Sequence, residues 1–122
     1  MPQRIQRKRT KGWRMPEGAV YVGRPTWLCN PFAVGKVYDR TIYSSKTMTG
    51  AVDMRVRDRA HAVDLYRRWL DGFVHHIDAP EPPTLREIRR HLRGRDLACW
   101  CPLDQRCHAD VLLKLANGGG EQ

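Results

Sequence analysis

Long apolar runs are absent from this chain of 122 residues. No stretch approaches the roughly 20 consecutive apolar residues that a bilayer-crossing helix requires, so no membrane partner is expected. The opening MPQRIQRKRTKGWR has no apolar core behind its charges, unlike a secretory signal, and cytoplasmic residence is the expectation. Two phosphate-binding fingerprints are missing as well. There is no G-x-x-x-x-G-K-[ST] loop and no G-x-G-x-x-G turn, which excludes the P-loop NTPase and dinucleotide signatures. No zinc-finger spacing, basic zipper or aromatic strand signature selects one class of nucleic acid. Acidic residues are scarce, with 13 Asp and Glu against 22 Lys and Arg. The resulting net charge of +9 and pI near 10.0 disfavour cationic partners and favour polyanions.

That charge is concentrated at one end. Arg4, Arg7, Lys8, Arg9, Lys11, Arg14 and Arg24 face only Glu17 within the first 24 residues, which carry +6 of the +9. Residues 1–15 therefore read as a flexible basic arm, 16–117 as a single α/β domain, and 118–122 as a C-terminal tail. In the arm, Lys8, Arg9, Lys11 and Arg14 are candidate phosphate contacts, with Trp13 between them to stack on an exposed base. Docking of Trp13 on the protein's own surface is the alternative.

Hydrophobic periodicity supplies the elements. GAVYVGR (18–24) reads as a short strand closed by Gly23 and Pro25, followed by an irregular TWLCNPF loop. VGKVYDRTIY (34–43) reads as a strand or hairpin turning near Asp39 and Arg40, and 44–52 as a connection. A helix is expected over 58–73, capped by Asp58 and stopped at Gly72, with Ala62, Leu65, Trp69, Leu70 and Phe73 inward. Thr84 and Glu87 form a capping box for a second helix carrying Leu85, Ile88 and Leu92. RDLACWCP reads as a strand with Leu97, Cys99 and Cys101 on one face and Ala98 and Trp100 on the other. ADVLLKLAN closes as a helix that buries Val111, Leu112 and Leu115. The expected fold is a small Rossmann-like α/β sandwich with a short, mostly parallel sheet and flanking helices. If the first and last core strands are parallel, GRPTWLCNPF and CPLDQRCH meet at one sheet edge.

CWCPLDQRCHAD (99–110) holds three of the four cysteines. Cys99, Cys101, Cys107 and His108 offer ligands that suit zinc, but C-x-C and an adjacent Cys-His pair depart from the C-x-x-C knuckle. Cys107 or His108 at a helix start could instead act in thiol or proton chemistry, with Arg106 favouring a thiolate. The third reading is three small buried side chains with a bracing histidine. It is preferred, since short motif matches are weak functional evidence. No cofactor is demanded, and zinc is the one the residues suit. His61 and the His75-His76 pair show no metal-binding arrangement.

Gly23, Arg24, Asn30 and Arg106 are the candidate ligand contacts at the shared edge, where backbone amides and cations could receive a phosphate. The expected function is binding of a nucleotide, DNA, RNA or another phosphorylated ligand. A nucleotide- or nucleic-acid-processing enzyme using Cys107 or His108 is one alternative. Another is a protein that modulates a host macromolecule.

RIQRKRTKGWRMPEGAVYVGRP, NPF and LRGRDLACWCPLDQRCHADVLLKLAN together resemble the bacterial and bacteriophage domain of unknown function numbered 4326. The resemblance places Gly23, Arg24, Pro25, Asn30, Pro31, Phe32, Cys99, Trp100, Cys101, Cys107 and His108 on the family's motif positions. The family is associated chiefly with small phage and actinobacterial proteins, so a phage origin is one expectation of the resemblance, with residence in the host cytoplasm in that case. It implies no reaction. Where the family has an R-W-G-like triplet before NPF, this chain reads Trp27-Leu28-Cys29.

Overall fold

Parallel pairing organises the first of two small sheets. The computed structural model describes residues 2–44, 49–75 and 79–118. Strands β1 (Arg4–Gln6), β2 (Val20–Tyr21), β3 (Val37–Ser44) and β4 (Thr49–Arg55) precede helix α1 (Arg59–Leu70). Then come β5 (Val74–His75), α2 (Leu85–Leu92), β6 (Leu97–Cys99) and α3 (His108–Asn117). The chain divides into two compact units, residues 1–29 with 83–122, and residues 30–82. The architecture is α/β, as expected. Among the described residues no helix is long and apolar enough to cross a membrane.

The first unit holds a parallel sheet in the order β1-β6-β2. β6 occupies its centre, and Leu97, Ala98 and Cys99 are all buried, as a strand covered on both faces requires. Register places Arg4 opposite Leu97 and Gln6 opposite Cys99, while Ile5 and Tyr21 both pair with Ala98. Residues 4–6 thus lie in the stretch read as a flexible arm, yet they form a sheet strand. The parallel ladder to β6 explains this: half-buried Ile5 is the one apolar residue there, too little to mark a strand without its partner.

α3 buries His108, Ala109, Leu112 and Ala116. Val111 and Leu115, expected inward with Leu112, are half-buried, because the buried stripe includes two alanines that hydropathy underweights. α2 has the expected capping box, in which the Glu87 amide donates to Thr84 Oγ1 (3.1 Å) and the Thr84 amide to Glu87 Oε1 (3.0 Å). Guanidinium groups of Arg89 and Arg93 donate to the Leu115 and Ala116 carbonyls at 3.3 and 3.0 Å, tying α2 to the end of α3. Thr84→Ala removes one reciprocal cap bond and is expected to cost about 1 kcal/mol. Urea unfolding with an unchanged slope would measure it, and a change under a few tenths would show that the cap contributes nothing.

The second unit carries an antiparallel sheet, β4-β3-β5. The turn expected at Asp39-Arg40 is absent. β3 runs through it, with a register irregularity between Tyr38 and Thr41 against β4. Neither residue supplies the positive φ or fixed φ that tight hairpin turns need, whereas Thr41, Ile42 and Tyr43 favour extension. Likewise, residues 49–52 of the 44–52 stretch read as a connection belong to β4, and Ser44 ends β3. α1 begins at its Asp58 cap, whose Oδ1 accepts from the His61 amide at 2.8 Å, and ends before Gly72 at φ +83°. Phe73, expected on the helix's inner face, lies beyond that stop and is 48% exposed. Tyr66, absent from the expected inward set, is fully buried.

Candidate functional site

In a parallel sheet every strand delivers its following residues to the same edge. Here those residues are Arg7 after β1, Val22-Gly23-Arg24 after β2, and Trp100-Cys101 after β6. The ladder extends one step past each outer strand: the Arg7 amide donates to Cys99 O at 2.7 Å, and the Val22 amide to Ala98 O at 2.9 Å. α3 starts at this edge too, for His108 Nε2 lies 2.8 Å from the Val22 carbonyl. A carbonyl only accepts, so Nε2 carries the proton and, in the neutral ring, Nδ1 is the acceptor nitrogen. Burial holds the His108 pKa below its ordinary value against the Val22 hydrogen bond, and the charge of Arg24 pushes it lower still. Gly23, Arg24, Cys107 and His108 are therefore brought together, as the parallel arrangement predicted.

The cysteine cluster lies beneath this edge. Sγ atoms of Cys99, Cys101 and Cys107 all fall within 4.8 Å of one another, so these three residues could hold a metal ion. Cys99 and Cys107 are each 1% exposed, with their sulfurs 3.0 Å apart. All four cysteines of the chain are free thiols. Hydrogen bonding from the Cys101 and Cys107 thiols, with help from the Cys101 amide and Arg4, pulls the Cys99 pKa down against burial. Cys107 moves up for the matching reason, since its thiol serves its neighbours and is buried. Three sulfurs this close, with Cys99 the one favoured as thiolate, suit a soft cation. His108 Nδ1 is 3.7 Å from Cys107 Sγ.

Arg4 is the residue that sequence reasoning missed. Its side chain is 8% exposed and pairs with Asp110 of α3, Nε to Oδ1, at 3.1 Å. Its terminal nitrogens reach the Pro102, Leu103 and Gln105 carbonyls at 3.2, 3.0 and 2.7 Å, and Cys101 O at 3.5 Å. The ladder to β6 sets Arg4 on the face of Leu97 and Cys99 rather than in solvent, a placement that only the pairing reveals.

Other candidates are placed less centrally. The start of α3 is already served by an anion, because the Cys107 amide donates to Asp110 Oδ2 at 3.2 Å. Arg106 is exposed just before that start. Asn30 belongs to the second unit, where Nδ2 donates to Ala62 O and Oδ1 accepts from the Phe32 amide, both at 2.9 Å. Lys8, Arg9, Lys11 and Arg14 are exposed, and Trp13 is half-buried with its amide in a turn to Thr10. Trp100, expected within the strand on the face of buried Ala98, is instead 39% exposed past the end of β6. Trp27 is 49% exposed and meets His91 edge-on, with ring centroids 5.3 Å apart. His61 Nδ1 accepts from the Arg57 amide and His75 Nε2 meets the Gly72 carbonyl, while His76 lies outside the described residues.

The fold and site define a small α/β domain with a three-stranded parallel sheet and a three-cysteine cluster under its strand ends, with His108 beside Cys107. Residues 5–118 match the family described as "Domain of unknown function (DUF4326)", and the chain belongs to that family. No curated protein and no solved structure matches it.

Proposed function

We propose that the C-terminal edge of the parallel sheet binds a phosphorylated ligand, a nucleotide or nucleic acid. The observation that carries this reading is the convergence of Arg7, Gly23-Arg24 and the head of α3 at one edge, fixed by the 2.8 Å contact between His108 and Val22. Arg24 is exposed there, and the adjoining segment adds Lys8, Arg9, Lys11 and Arg14. The net charge of +9 supplies long-range attraction. The α3 start contributes less than its position suggests, since Asp110 already occupies its first amide. Capture is electrostatic and no chemical conversion is assumed. An enzyme reading with Cys107 as nucleophile has weaker support, because that thiol is 1% exposed and its pKa is raised.

Fluorescence anisotropy with labelled oligonucleotides, and competition by ATP and inorganic phosphate over a salt series, tests the proposal. Saturable binding is expected, with Kd on the order of 10⁻⁴–10⁻⁶ M at physiological salt. Arg24→Gln should weaken it and lower the salt slope by about one. Absence of saturable binding at low salt overturns the reading.

A second reading is favoured by the sulfur triad: a zinc ion held by Cys99, Cys101, Cys107 and His108 Nδ1. Tetrahedral zinc with Zn–S near 2.3 Å and Zn–N near 2.0–2.1 Å puts S···N pairs about 3.6 Å apart, close to the 3.7 Å separation of Cys107 and His108. The Val22 carbonyl already orients the other ring nitrogen, the usual second contact of a ligating histidine. Zinc there would brace the edge and neutralise its thiolates.

A further inference from the structure

Resting on the reading of this edge as a phosphoanion site, we infer that the Trp100 ring is a base-stacking platform for single-stranded nucleic acid, flanked by Arg7 and Arg9. Strand alternation builds it. Ile5, Ala98 and Tyr21 are register partners, and two residues further along stand Arg7 and Trp100, so Arg7, Tyr21 and Trp100 share one face of the sheet. The Arg7 guanidinium lies 4.5 Å from the Tyr21 ring centroid and 4.6 Å from that of Trp100. Arg9 lies 4.6 Å from the same Trp100 ring. Nε of Arg7 is buried without a hydrogen-bond partner, so ring faces are its immediate surroundings and hold its charge in place.

Trp100 nevertheless stays 39% exposed, although its neighbour Cys99 is 1% exposed. An accessible indole between cations matches a nucleotide strand, which presents flat apolar bases and a phosphate between each pair. Exposed Arg9 can leave the ring for a phosphate as a base takes its place, while Arg7 remains wedged against Tyr21. Lys8, Lys11 and Arg14, all exposed, continue the charge along the same segment. A duplex hides its base faces within its own stack and offers Trp100 nothing to cover. An acidic peptide would meet the cations but leave the indole wet.

Anisotropy of the full chain with fluorescein-labelled oligothymidylate, oligouridylate, an abasic strand with the same number of phosphates, and a duplex provides the test. The base-bearing strands should bind about 5- to 150-fold more tightly than the abasic one. Their relative affinities then tell DNA from RNA as the preferred strand. Trp100→Leu should erase that gap without changing the salt slope, and Trp100→Phe should keep most of it. Arg9→Gln should lower the slope by about one. Equal binding of base-bearing and abasic strands, or a gap that survives Trp100→Leu, overturns the stacking platform but leaves the phosphoanion site standing. Displacement of the strand by polyglutamate as readily as by unlabelled strand also overturns it. No binding of any strand at low salt overturns both.

Discussion

Arg4→Met is expected to lower the stability of the protein by about 3 kcal/mol, a large share of the roughly 5–15 kcal/mol typical of a domain. The side chain is 8% exposed and makes two kinds of contact at once. It pairs with Asp110 of α3, and its fork reaches carbonyls of the 101–105 loop at distances down to 2.7 Å. Hydrogen bonds from charged donors contribute about 1.5–3 kcal/mol each, but they are not additive here because the freed loop carbonyls can turn to water. Asp110 is half-exposed and recovers part of its solvation, which also keeps the cost below that of a fully buried pair. The sum is a fall in melting temperature of roughly 10 °C for a chain of this length.

Lysine should not rescue the loss. A single ammonium on a flexible stem cannot span four carbonyls and a carboxylate, whereas a planar fork can. Arg4→Lys is therefore expected to lie near Arg4→Met in urea midpoint. Hydrogen exchange gives a local check: the Gln105 amide, which donates to Pro102 O at 3.1 Å, should lose protection in both variants. A stability change under about 0.5 kcal/mol would mean that the cysteine loop is held by other contacts.

What could be read from the sequence was mostly what is local. Asp58, Thr84 with Glu87, Gly72 and Gly94 mark helix ends through caps and positive φ, and α1 and α2 begin where those residues place them. The parallel strand ends followed from apolar residues on both faces of Leu97–Cys99. Three things escaped, each for a physical reason. β1 is three residues long and two of them are polar, so its strand character comes from the ladder to β6 rather than from its own pattern. β5, a pair of residues after a glycine, is likewise defined by its partner β3. The role of Arg4 depends on carbonyls about a hundred positions away, and no local spacing encodes that. Trp100 shows the opposite error: alternation gave its face correctly, but a strand one residue shorter than needed to bury it leaves the ring in solvent.

On the zinc reading, the metal is expected to be the largest single stabilising factor in the first unit. One zinc per chain should copurify, measured by plasma mass spectrometry, and Co²⁺ exchanged into the site should show the visible bands of tetrahedral thiolate coordination. Apparent binding energies of structural zinc run to about 10–16 kcal/mol at neutral pH, comparable with the stability of a whole domain. Strong chelation or Cys99→Ser should therefore unfold the first unit rather than merely loosen it. The geometry asks for a small adjustment on loading: Cys99 and Cys107 sulfurs at 3.0 Å must part to about the 3.8 Å edge of a tetrahedral site. His108→Ala should weaken the metal less than loss of a cysteine, since three thiolates remain. It should leave the sulfur-to-cobalt charge-transfer band near its full intensity, whereas a Cys-to-Ser change removes a thiolate and lowers that band. If the protein is metal-free as isolated, keeps its melting temperature in chelator and takes up no Co²⁺, the sulfurs are packing groups. The edge would then be held by its ladder hydrogen bonds together with Arg4 and His108.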